Sequence, residues 1–460
     1  MRRVAIIGGG IAGLSAAFHL ESARRNGAHL DWTLFEKSDR VGGVIKTETD
    51  SGFVLEAGPD SFLTAKPEGA QFCHDLGIAD QLIYSNDVSR KTYVLLRGRL
   101  VEIPHGLEFM VPTRVWPIAS SPLFSFRTKL RMVGELFTSA SHHDQDESVG
   151  DFVRRHFGQE MMERVAEPLL AGVYGGNADE MSVRAVLPRF AEMERTSGSL
   201  VRATLKSRAS RRNTGSSVQP LFTSLKAGMQ QMVDAATASL PPERIRLRAC
   251  VSTVQPCNDD WQVMTGDQTG RFQAVLLALP SVIAAGLLRR FHPALIEGLR
   301  QIPYSSSAAV VLGYADARLP AGHGFLAPRT EDRKMMACTF VHRKFPDRAP
   351  EGAALLRCFF SSSRFPDLLN QSDDELLAIA RSELKEILGL AAEPRLQRVF
   401  RWESALPQYG VGHLERVAEM EQMLAEIPGV QIIGNSFHGV GIPDCIKSGK
   451  QAADVFLKTL

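Results

Sequence analysis

Short apolar runs that end at glycine alternate with amphipathic stretches along this chain, most clearly near its two ends. RVAII at 3–7 is apolar and β-branched, which predicts a buried strand, and AGLSAAFHLESARR at 12–25 predicts a helix directly after it. WTLFEK at 32–37 predicts a second strand. VQIIGN at 430–435 repeats the first pattern, so we expect the last strand to rejoin the first sheet in parallel.

Strand-like and helix-like segments alternate through the middle of the chain. YVLLRGRLVEIP at 93–104 predicts a hairpin that turns at Arg97 and Gly98, and residues 105–205 look mainly helical. GMQQMVDAATASL at 228–240 predicts an amphipathic helix. The Ser, Gly and Arg content of SLVRATLKSRASRRNTGSS at 199–217 predicts a mobile, solvated loop.

Three glycines, Gly8, Gly10 and Gly13, stand in GxGxxG register between the first strand and its helix. Gly8 allows a tight turn, Gly10 allows backbone amides to approach a pyrophosphate, and Gly13 allows close packing of helix and strand. Glu36 ends the second strand 23 positions after Gly13, where an acid accepts ribose hydroxyls and repels a 2′-phosphate. Without this context the motif would be only a glycine-rich turn. With it, dinucleotide binding is predicted, and NAD and FAD both stay open.

A second glycine turn helps to decide between NAD and FAD. SDRVGGVIKTE at 38–48 follows the acidic strand at once, so that Arg40, Gly42 and Gly43 lie where a turn could reach the other phosphate. GFVLEAGPDSF at 52–62 then predicts a strand that enters a further turn at Gly58. SDRVGGVIKTE resembles the motif that follows the ribose-binding acid in two-domain flavoproteins of the amine oxidase type, and nicotinamide dehydrogenases have no such sequel. The resemblance therefore favours FAD.

Composition narrows the class of protein. The 460 residues are 44% hydrophobic and 23% charged, typical of a globular chain of about two or three domains. The formal net charge of +2 gives no reason to expect nucleic-acid binding. The six cysteines are scattered without metal-ligand spacing, which favours a reduced, cytoplasmic protein without a metal site. No apolar run is long enough to span a membrane, but LEFMVPTRVWPIASSPLF at 107–124 could cap an active site or lie on a membrane surface.

Six blocks of sequence resemble, in order, those of the HemY-type coproporphyrinogen III oxidases of the soluble, Gram-positive kind, which are close kin of the protoporphyrinogen oxidases. The blocks are IIGGGIAGL, RVGG, GPDSFL, EPLLAGVYGG, RWESALPQY and GVGIPDCI, and the last four are the more specific ones. The resemblance covers nearly the whole chain. It implies a fold of mixed α/β and α+β class with three parts: a Rossmann-like FAD-binding domain (1–85, 215–290 and 400–460), a mixed-sheet substrate domain (86–104 and 291–399) and a helical domain (105–214) that could face a membrane.

The resemblance also implies the residues of the site. Those expected at FAD are Gly8, Gly9, Gly10, Ile11, Ala12, Gly13, Glu36, Lys37, Arg40, Gly42, Gly43, Val44, Gly58, Pro59, Asp60, Ser61, Val251, Trp402, Val440, Gly441 and Ile442. Those expected at the substrate are Lys66, Gly172, Gly176 and Phe340.

Two of these expectations have alternatives. Phe340, Phe359 and Phe360 could line a flat apolar slot or could equally be core residues. Lys66 matches a lysine of the Gram-positive-type relatives that could meet a substrate carboxylate, but it could also be a solvated residue at a helix start. Thr92 stands where some relatives carry an arginine that meets a propionate, so that ion pair is not expected.

The implied activity is an FAD-dependent, oxygen-using oxidation of coproporphyrinogen III to coproporphyrin III, with peroxide release, in haem biosynthesis. Such an enzyme is an oxidoreductase acting on CH–CH groups, and because aromatisation supplies driving force no catalytic acid or base is expected. The alternatives are a protoporphyrinogen IX oxidase, a flavin amine oxidase or carotenoid desaturase, and a non-enzymatic carrier on the same fold. The expected partners are the porphyrinogen, molecular oxygen and a haem-pathway enzyme that takes over the product. The expected location is the cytoplasm, with contact to the inner face of the membrane left open.

Overall fold

Two β-sheets form the frame of the molecule, whose computed structural model describes residues 1–140, 145–213, 219–266 and 268–459. The first sheet has five parallel strands in the order Ile245–Arg246, Leu30–Phe35, Arg2–Ile7, Ala274–Leu277 and Val430–Ile432. The second has seven strands in the order Leu396–Pro407, Tyr304–Tyr314, Ala354–Ser361, Ala337–Phe340, Gly324–Leu326, Thr92–Leu96 and Arg99–Glu102. The last strand of the chain thus joins the sheet of the first, as the sequence predicts.

Short strands and helices complete the fold. The smaller sheets pair Thr47–Asp50 with Phe53–Glu56, Leu107–Glu108 with Val111–Pro112, Phe222–Leu225 with both Phe62–Leu63 and Leu82–Tyr84, and Asp260–Thr265 with both Val251–Cys257 and Gln268–Phe272. The α-helices are Ile11–Arg25, Pro67–Asp75, Val115–Ser120, Phe126–Glu135, Val149–Phe157, Gln159–Met161, Glu167–Tyr174, Val183–Val186, Pro188–Ser197, Leu200–Asn213, Gln230–Ala238, Ser281–Leu287, Pro293–Arg300, Val341–Lys344, Asp373–Leu388, His413–Ala425 and Ile442–Leu457. A π-helical turn, Met162–Ala166, leads into Glu167–Tyr174.

The five-stranded sheet explains the uniformly apolar first strand. Val4, Ala5 and Ile6 have no exposed surface, because helices pack on one face of the parallel sheet, and further helices together with the three-stranded sheet that contains Asp260–Thr265 pack on the other. The first and last helices of the chain pack against each other, and the Ser15 hydroxyl donates to the carbonyl of Ile446 at 2.8 Å. The predicted mixed fold is confirmed, and both ends of the chain meet in one place.

Residues 200–213 form a helix, so the loop predicted there is wrong over this range. Leu200 and Val201 are buried and anchor one face of the helix. The Glu135 carboxylate accepts hydrogen bonds from the backbone N–H groups of both residues, at 2.6 and 3.2 Å. Tertiary contacts therefore outweigh the polar composition. The rest of the predicted loop, 214–217, lies outside the described residues, and so does the predicted domain boundary at 214/215.

A buried ionic cluster ties the helices of this region together. His156 on Val149–Phe157 contacts Glu135 through Nδ1 at 3.1 Å and Glu194 through Nε2 at 3.2 Å. Arg155 pairs with Glu194 and with Glu147. Burial lowers the pKa of His156, but the hydrogen bonds to Glu135 and Glu194 outweigh it and raise that pKa above its ordinary value.

The three-part division of the chain stays a prediction. Leu396–Pro407 pairs along its length with Tyr304–Tyr314, so residues 400–407, assigned above to the FAD-binding domain, lie in the seven-stranded sheet. Within the described residues, no helix has both the length and the apolar character needed to cross a membrane.

Candidate functional site

The turn between the first strand and the first helix depends on glycine for steric reasons. Gly8 has a φ of +108°, and a Cβ atom there would lie 2.2 Å from the carbonyl oxygen of Ala278. A Cβ atom on Gly13 would lie 2.0 Å from the carbonyl oxygen of Gly8. The backbone is thus as close to its neighbours as the GxGxxG motif requires.

Gly10 differs, because a Cβ atom there would meet no protein atom within 4 Å. It is the N-cap of Ile11–Arg25 and has no side chain to accept the free N–H groups of the first turn. Ile11 and Ala12 begin the helix and are buried. An open space in front of uncapped amides and a positive helix end fits the pyrophosphate of a dinucleotide.

Glu36 lies at the edge of this space, where its carboxylate is held on both oxygens. Oε2 accepts a hydrogen bond from Gly9 N–H at 2.7 Å, and Oε1 accepts one from the Ser38 hydroxyl at 2.7 Å. The backbone N–H of Ala249 donates to the Glu36 carbonyl at 2.8 Å, two residues before Val251 begins its strand. The segments that carry Glu36 and Val251, both predicted to lie on the adenosine side of the cofactor, are therefore neighbours in the fold. The side chain of Lys37 is exposed.

The second glycine turn lies directly against the first. Gly42 N–H donates to the carbonyl of Gly9 at 2.7 Å, and a Cβ atom on Gly43 would lie 3.3 Å from the Cα of Gly10. Arg40 turns inward, and its Nη1 donates to the carbonyls of Val41 and Ile45, both at 3.0 Å. Arg40 therefore shapes this turn from within, and its contact with the cofactor stays a prediction.

The Ala57–Ser61 turn continues from there. A Cβ atom on Gly58 would lie 1.8 Å from the carbonyl oxygen of Val44, so the two segments touch through backbone. Trp402, on the edge strand of the seven-stranded sheet, donates from Nε1 to the carbonyl of Ala57 at 2.7 Å. Arg357, on a central strand of that sheet, donates to the carbonyl of Gly58 at 2.5 Å.

Asp60 in this turn forms an ion pair. Lys344 Nζ lies 3.0 and 3.1 Å from its two carboxylate oxygens, and the Ser61 hydroxyl donates to it at 2.6 Å. Burial raises the pKa of Asp60, but the charges of Lys344 and Arg357 and these hydrogen bonds outweigh it and hold the pKa well below its ordinary value. Asp60 is thus an ionised anchor of the turn, which Pro59 precedes with a half-buried ring.

The C-terminal turn reaches the same region. Gly441 is the N-cap of Ile442–Leu457, and its N–H donates to Asp444 at 3.1 Å. Lys66 Nζ lies 2.6 Å from both carboxylate oxygens of Asp444. The Lys66 side chain is 42% exposed and that of Asp444 15%, so Lys66 is paired with the last helix rather than free in solvent, and its contact with a substrate carboxylate stays a prediction. Val440 packs against the core of the helical region.

The two glycines expected at the substrate lie where Glu167–Tyr174 ends against the seven-stranded sheet. Gly172 is exposed, and a Cβ atom there would meet nothing within 4 Å. A Cβ atom on Gly176 would lie 1.8 Å from Oε1 of Gln408. The carbonyl of Gly175 accepts a hydrogen bond from the Ser361 hydroxyl at 2.7 Å. Gly172 faces open space, whereas Gly176 is packed against the side chains of Gln408 and Met181.

Phe340 is not placed at any open surface, which corrects its assignment to a substrate slot. Phe340 and Phe360 are fully buried in the core between the seven-stranded sheet and Asp373–Leu388, because both point to that face of the sheet. Phe359 points to the other face and is half-buried, and the Arg357 guanidinium lies 4.8 Å from its ring centroid. Of the three aromatic candidates, Phe359 alone faces the side of the turns.

Three charged residues of this region were not identified from the sequence: Arg357, Lys344 and Asp444. Arg357 gave a usable signal, because a single arginine in the apolar strand ALLRCFF must find a buried partner. Lys344 lies in a polar stretch and gave none, whereas Asp444 lies between apolar residues in the block GVGIPDCI but was not singled out. Within the described part of the chain, no group of three His, Cys, Asp or Glu side chains is arranged to hold a metal ion.

Comparisons with known proteins agree with this architecture. A model of the family described as flavin containing amine oxidoreductase matches residues 11–457. The chain is 35% identical to the coproporphyrinogen III oxidase of Bacillus subtilis (strain 168), over 98% of this chain and 97% of that protein. It is 26% identical to protoporphyrinogen oxidase 2, chloroplastic/mitochondrial, of Arabidopsis thaliana, over 100% of this chain and 94% of that protein.

A solved structure extends the likeness to the fold. The crystal structure from Exiguobacterium sp. 255-15 named "Putative protoporphyrinogen oxidase" superposes with a TM-score of 0.88 at 29% identity, covering 100% of this chain and 99% of that one. The similarity therefore extends over both sheets and the helical region together.

Proposed function

The chain belongs to the flavin containing amine oxidoreductase family, and we propose that it oxidises coproporphyrinogen III to coproporphyrin III. It is an FAD-dependent oxidoreductase. The observation that carries the choice of substrate is its full-length identity with a curated coproporphyrinogen III oxidase, which exceeds its identity with a protoporphyrinogen oxidase. Protoporphyrinogen IX is the alternative substrate, and it differs from coproporphyrinogen in having fewer propionate groups.

We assign the four glycine-rich turns to one FAD molecule. Gly10 and the helix behind it would receive the pyrophosphate, and Glu36 the ribose. The Ala57–Ser61 and Gly439–Ile442 turns would flank the isoalloxazine, on the side that Phe359 faces. These assignments rest on the open space at Gly10 and on the contacts that join the turns in series.

Bound FAD supplies the redox chemistry, by accepting hydride equivalents from the reduced tetrapyrrole. Molecular oxygen is the proposed terminal acceptor and peroxide the second product. The chain's own residues bind and orient the porphyrinogen and exclude water from the site. Aromatisation of the macrocycle removes the need for a strong base. For this reason we assign no catalytic acid or base. Transfer of the product to another haem-pathway enzyme, and a cytoplasmic location, stay predictions.

The test compares both porphyrinogens with the same FAD-loaded protein, following porphyrin fluorescence and peroxide formation. We expect faster oxidation of coproporphyrinogen III, with peroxide formed in proportion to porphyrin. Faster turnover of protoporphyrinogen IX would overturn the substrate assignment. Porphyrin formation without peroxide would overturn the assignment of oxygen as acceptor.

We further propose that the tip of the helical region rests on an anionic membrane surface. Large apolar side chains are exposed on Val115–Ser120 and on Phe126–Glu135 and its C-terminal end, and we take them together as the proposed apolar patch: Val115, Trp116, Phe126, Leu130, Val133 and Phe137. On the second helix they recur three or four positions apart and so share one face, opposite the buried Thr128 and Met132. The side chains of Arg114, Arg127 and Arg131 are exposed beside the patch, where they could meet lipid phosphates.

Vesicle co-sedimentation tests this proposal. The protein should sediment with vesicles that contain phosphatidylglycerol more than with neutral ones, and the double substitution Phe126→Ser, Phe137→Ser should abolish the difference. Val455→Ser, at an exposed valine of the last helix, is the matched control and should bind like the wild type. Equal sedimentation of the double variant would contradict the proposal.

A further inference from the structure

Arg357 is a buried arginine in the middle of an apolar strand. It is 7% exposed and lies on Ala354–Ser361, which pairs on both sides within the seven-stranded sheet. Its neighbours Leu356 and Cys358 point into the core on the opposite face. Burying a guanidinium is costly unless its N–H groups are bonded, so its contacts indicate what it is there to hold.

Those contacts fall on the turn that follows Phe53–Glu56. Arg357 Nη2 donates to the carbonyl of Gly58 at 2.5 Å and lies 3.4 Å from the carbonyl of Ala57. Trp402 Nε1 donates to the same Ala57 carbonyl at 2.7 Å. Two side chains of the seven-stranded sheet therefore fix two successive peptide groups of a turn that belongs to a different part of the fold.

Neighbouring charges have other partners. Asp60 pairs with Lys344 at 3.0 Å, and Glu56 accepts hydrogen bonds from the Thr47 hydroxyl at 2.7 Å and from Met229 N–H at 2.8 Å. Arg348 Nη2 donates to the Ser224 hydroxyl and to the Leu225 carbonyl, both at 2.8 Å. Within the described residues, Arg357 Nε has no hydrogen-bond partner. The bonds of Arg357 are therefore directed to the turn rather than to a carboxylate.

The position of the Ala57–Ser61 turn is sterically restricted. Because Gly58 already touches the carbonyl of Val44, it cannot move toward the second glycine turn. Arg357 and Trp402 hold the same turn by the carbonyl oxygens of Gly58 and Ala57. Losing either donor removes one of the restraints that fix the position of this turn.

We propose that Arg357 is a positioning residue that holds the Ala57–Ser61 turn in the geometry that binds FAD. This inference rests on the proposed function in one respect, namely that this turn faces the flavin. Arg357 acts through the backbone of Gly58 and couples the seven-stranded sheet to the cofactor site.

The test measures FAD affinity and the visible absorption bands of the bound flavin in Arg357→Met. We expect the FAD dissociation constant to rise about tenfold or more, as for loss of a charged hydrogen bond, and the flavin bands to shift. Arg357→Lys keeps the charge and should recover part of the affinity. Trp402→Phe removes the other donor and should weaken FAD binding in the same direction, by less.

Arg364→Met is the matched control. Arg364 also donates to two backbone carbonyls, those of Ala327 and Pro328 at 2.6 Å each, but these belong to a loop of the seven-stranded sheet. It should lower the unfolding temperature without changing FAD affinity. An equal loss of FAD in Arg364→Met, or wild-type affinity and spectrum in Arg357→Met, would overturn the inference. A wild-type protein that binds no FAD would instead overturn the proposed cofactor site, so the two failures are distinguishable.

Discussion

Replacing Gly10 by alanine tests the proposed cofactor site, because an added Cβ atom at this glycine of the GxGxxG motif would point into open space, unlike one at Gly8 or Gly13. Its φ of −68° suits any residue, and a Cβ atom there meets no protein atom within 4 Å. Gly8 provides the opposite case. Its φ is +108°, and its Cβ atom would lie 2.2 Å from the Ala278 carbonyl oxygen. The two variants therefore separate a glycine needed by the ligand from a glycine needed by the fold.

The structure sets the size of both effects. Gly10→Ala should cost the apoprotein at most about 1 kcal/mol, because alanine is a poorer N-cap than glycine but meets no clash. The added methyl group would occupy the space of the pyrophosphate, so the FAD dissociation constant should rise at least about tenfold, or ~1.4 kcal/mol. Gly8→Ala should cost the apoprotein about 1–3 kcal/mol from overpacking, and ~1–2 kcal/mol more from the left-handed backbone.

Two measurements on each variant are sufficient. Quenching of flavin fluorescence on titration of apoprotein gives FAD affinity, and urea unfolding without FAD gives the free energy of unfolding. Wild-type FAD affinity in Gly10→Ala would show that no phosphate lies against this residue. Unchanged apoprotein stability in Gly8→Ala would refute the steric reasoning for the motif as a whole.

Three further predictions, made with four variants, test other parts of the structure. Glu36→Ala should weaken FAD binding at least about tenfold, measured by the same titration, whereas Lys37→Ala should not change it. Lys66→Glu places like charges together at Asp444 and should weaken FAD binding a few-fold at low salt and less at high salt; if Lys66 instead met a substrate carboxylate, only KM would change. His156 is stabilised in its charged form, so that contribution is complete below its ordinary pKa of 6.5 and is lost as pH rises through the raised folded value. The difference in unfolding temperature between wild type and His156→Gln should therefore shrink as the pH rises above 6.5, and a constant difference would contradict this account.

The sequence predicted those parts of the fold whose cause is local. The hairpin at Arg97 and Gly98 is predicted because a short turn signal separates two apolar stretches. The structure confirms it, and both turn residues adopt positive φ, +53° and +72°. The strand, glycine turn and helix at the N-terminus were predicted for the same reason. Each of these features is specified within about ten residues, a range over which the hydrophobic period and the turn-forming residues can be identified from the sequence.

The return of the last strand to the first sheet is a distant contact that the sequence does predict, but the individual side-chain partners across such distances are not predicted. Arg357 and Gly58 are 299 positions apart, and Lys66 and Asp444 are 378 apart. Nothing in the local pattern around Lys66 distinguishes a residue paired to the last helix from a residue paired to a substrate. The helix at 200–213 was missed for the same reason, since the carboxylate that caps it, Glu135, comes from another helix.

The glycines at the two ends of the chain illustrate the limit of a correct prediction. They were expected to share one site because both ends would contact a single cofactor. The ends do meet, but a Cβ atom on Gly449 would lie 2.2 Å from the carbonyl oxygen of Ala12, so this glycine is needed for close packing of the last helix on the first. Gly441 caps that last helix. Part of the C-terminal glycine content therefore positions the helix that carries Asp444, in addition to any contact that the Gly439–Ile442 turn makes with a flavin. A glycine-rich segment thus indicates that backbones come close together, but whether a ligand or another helix lies opposite is decided by residues far away in the sequence.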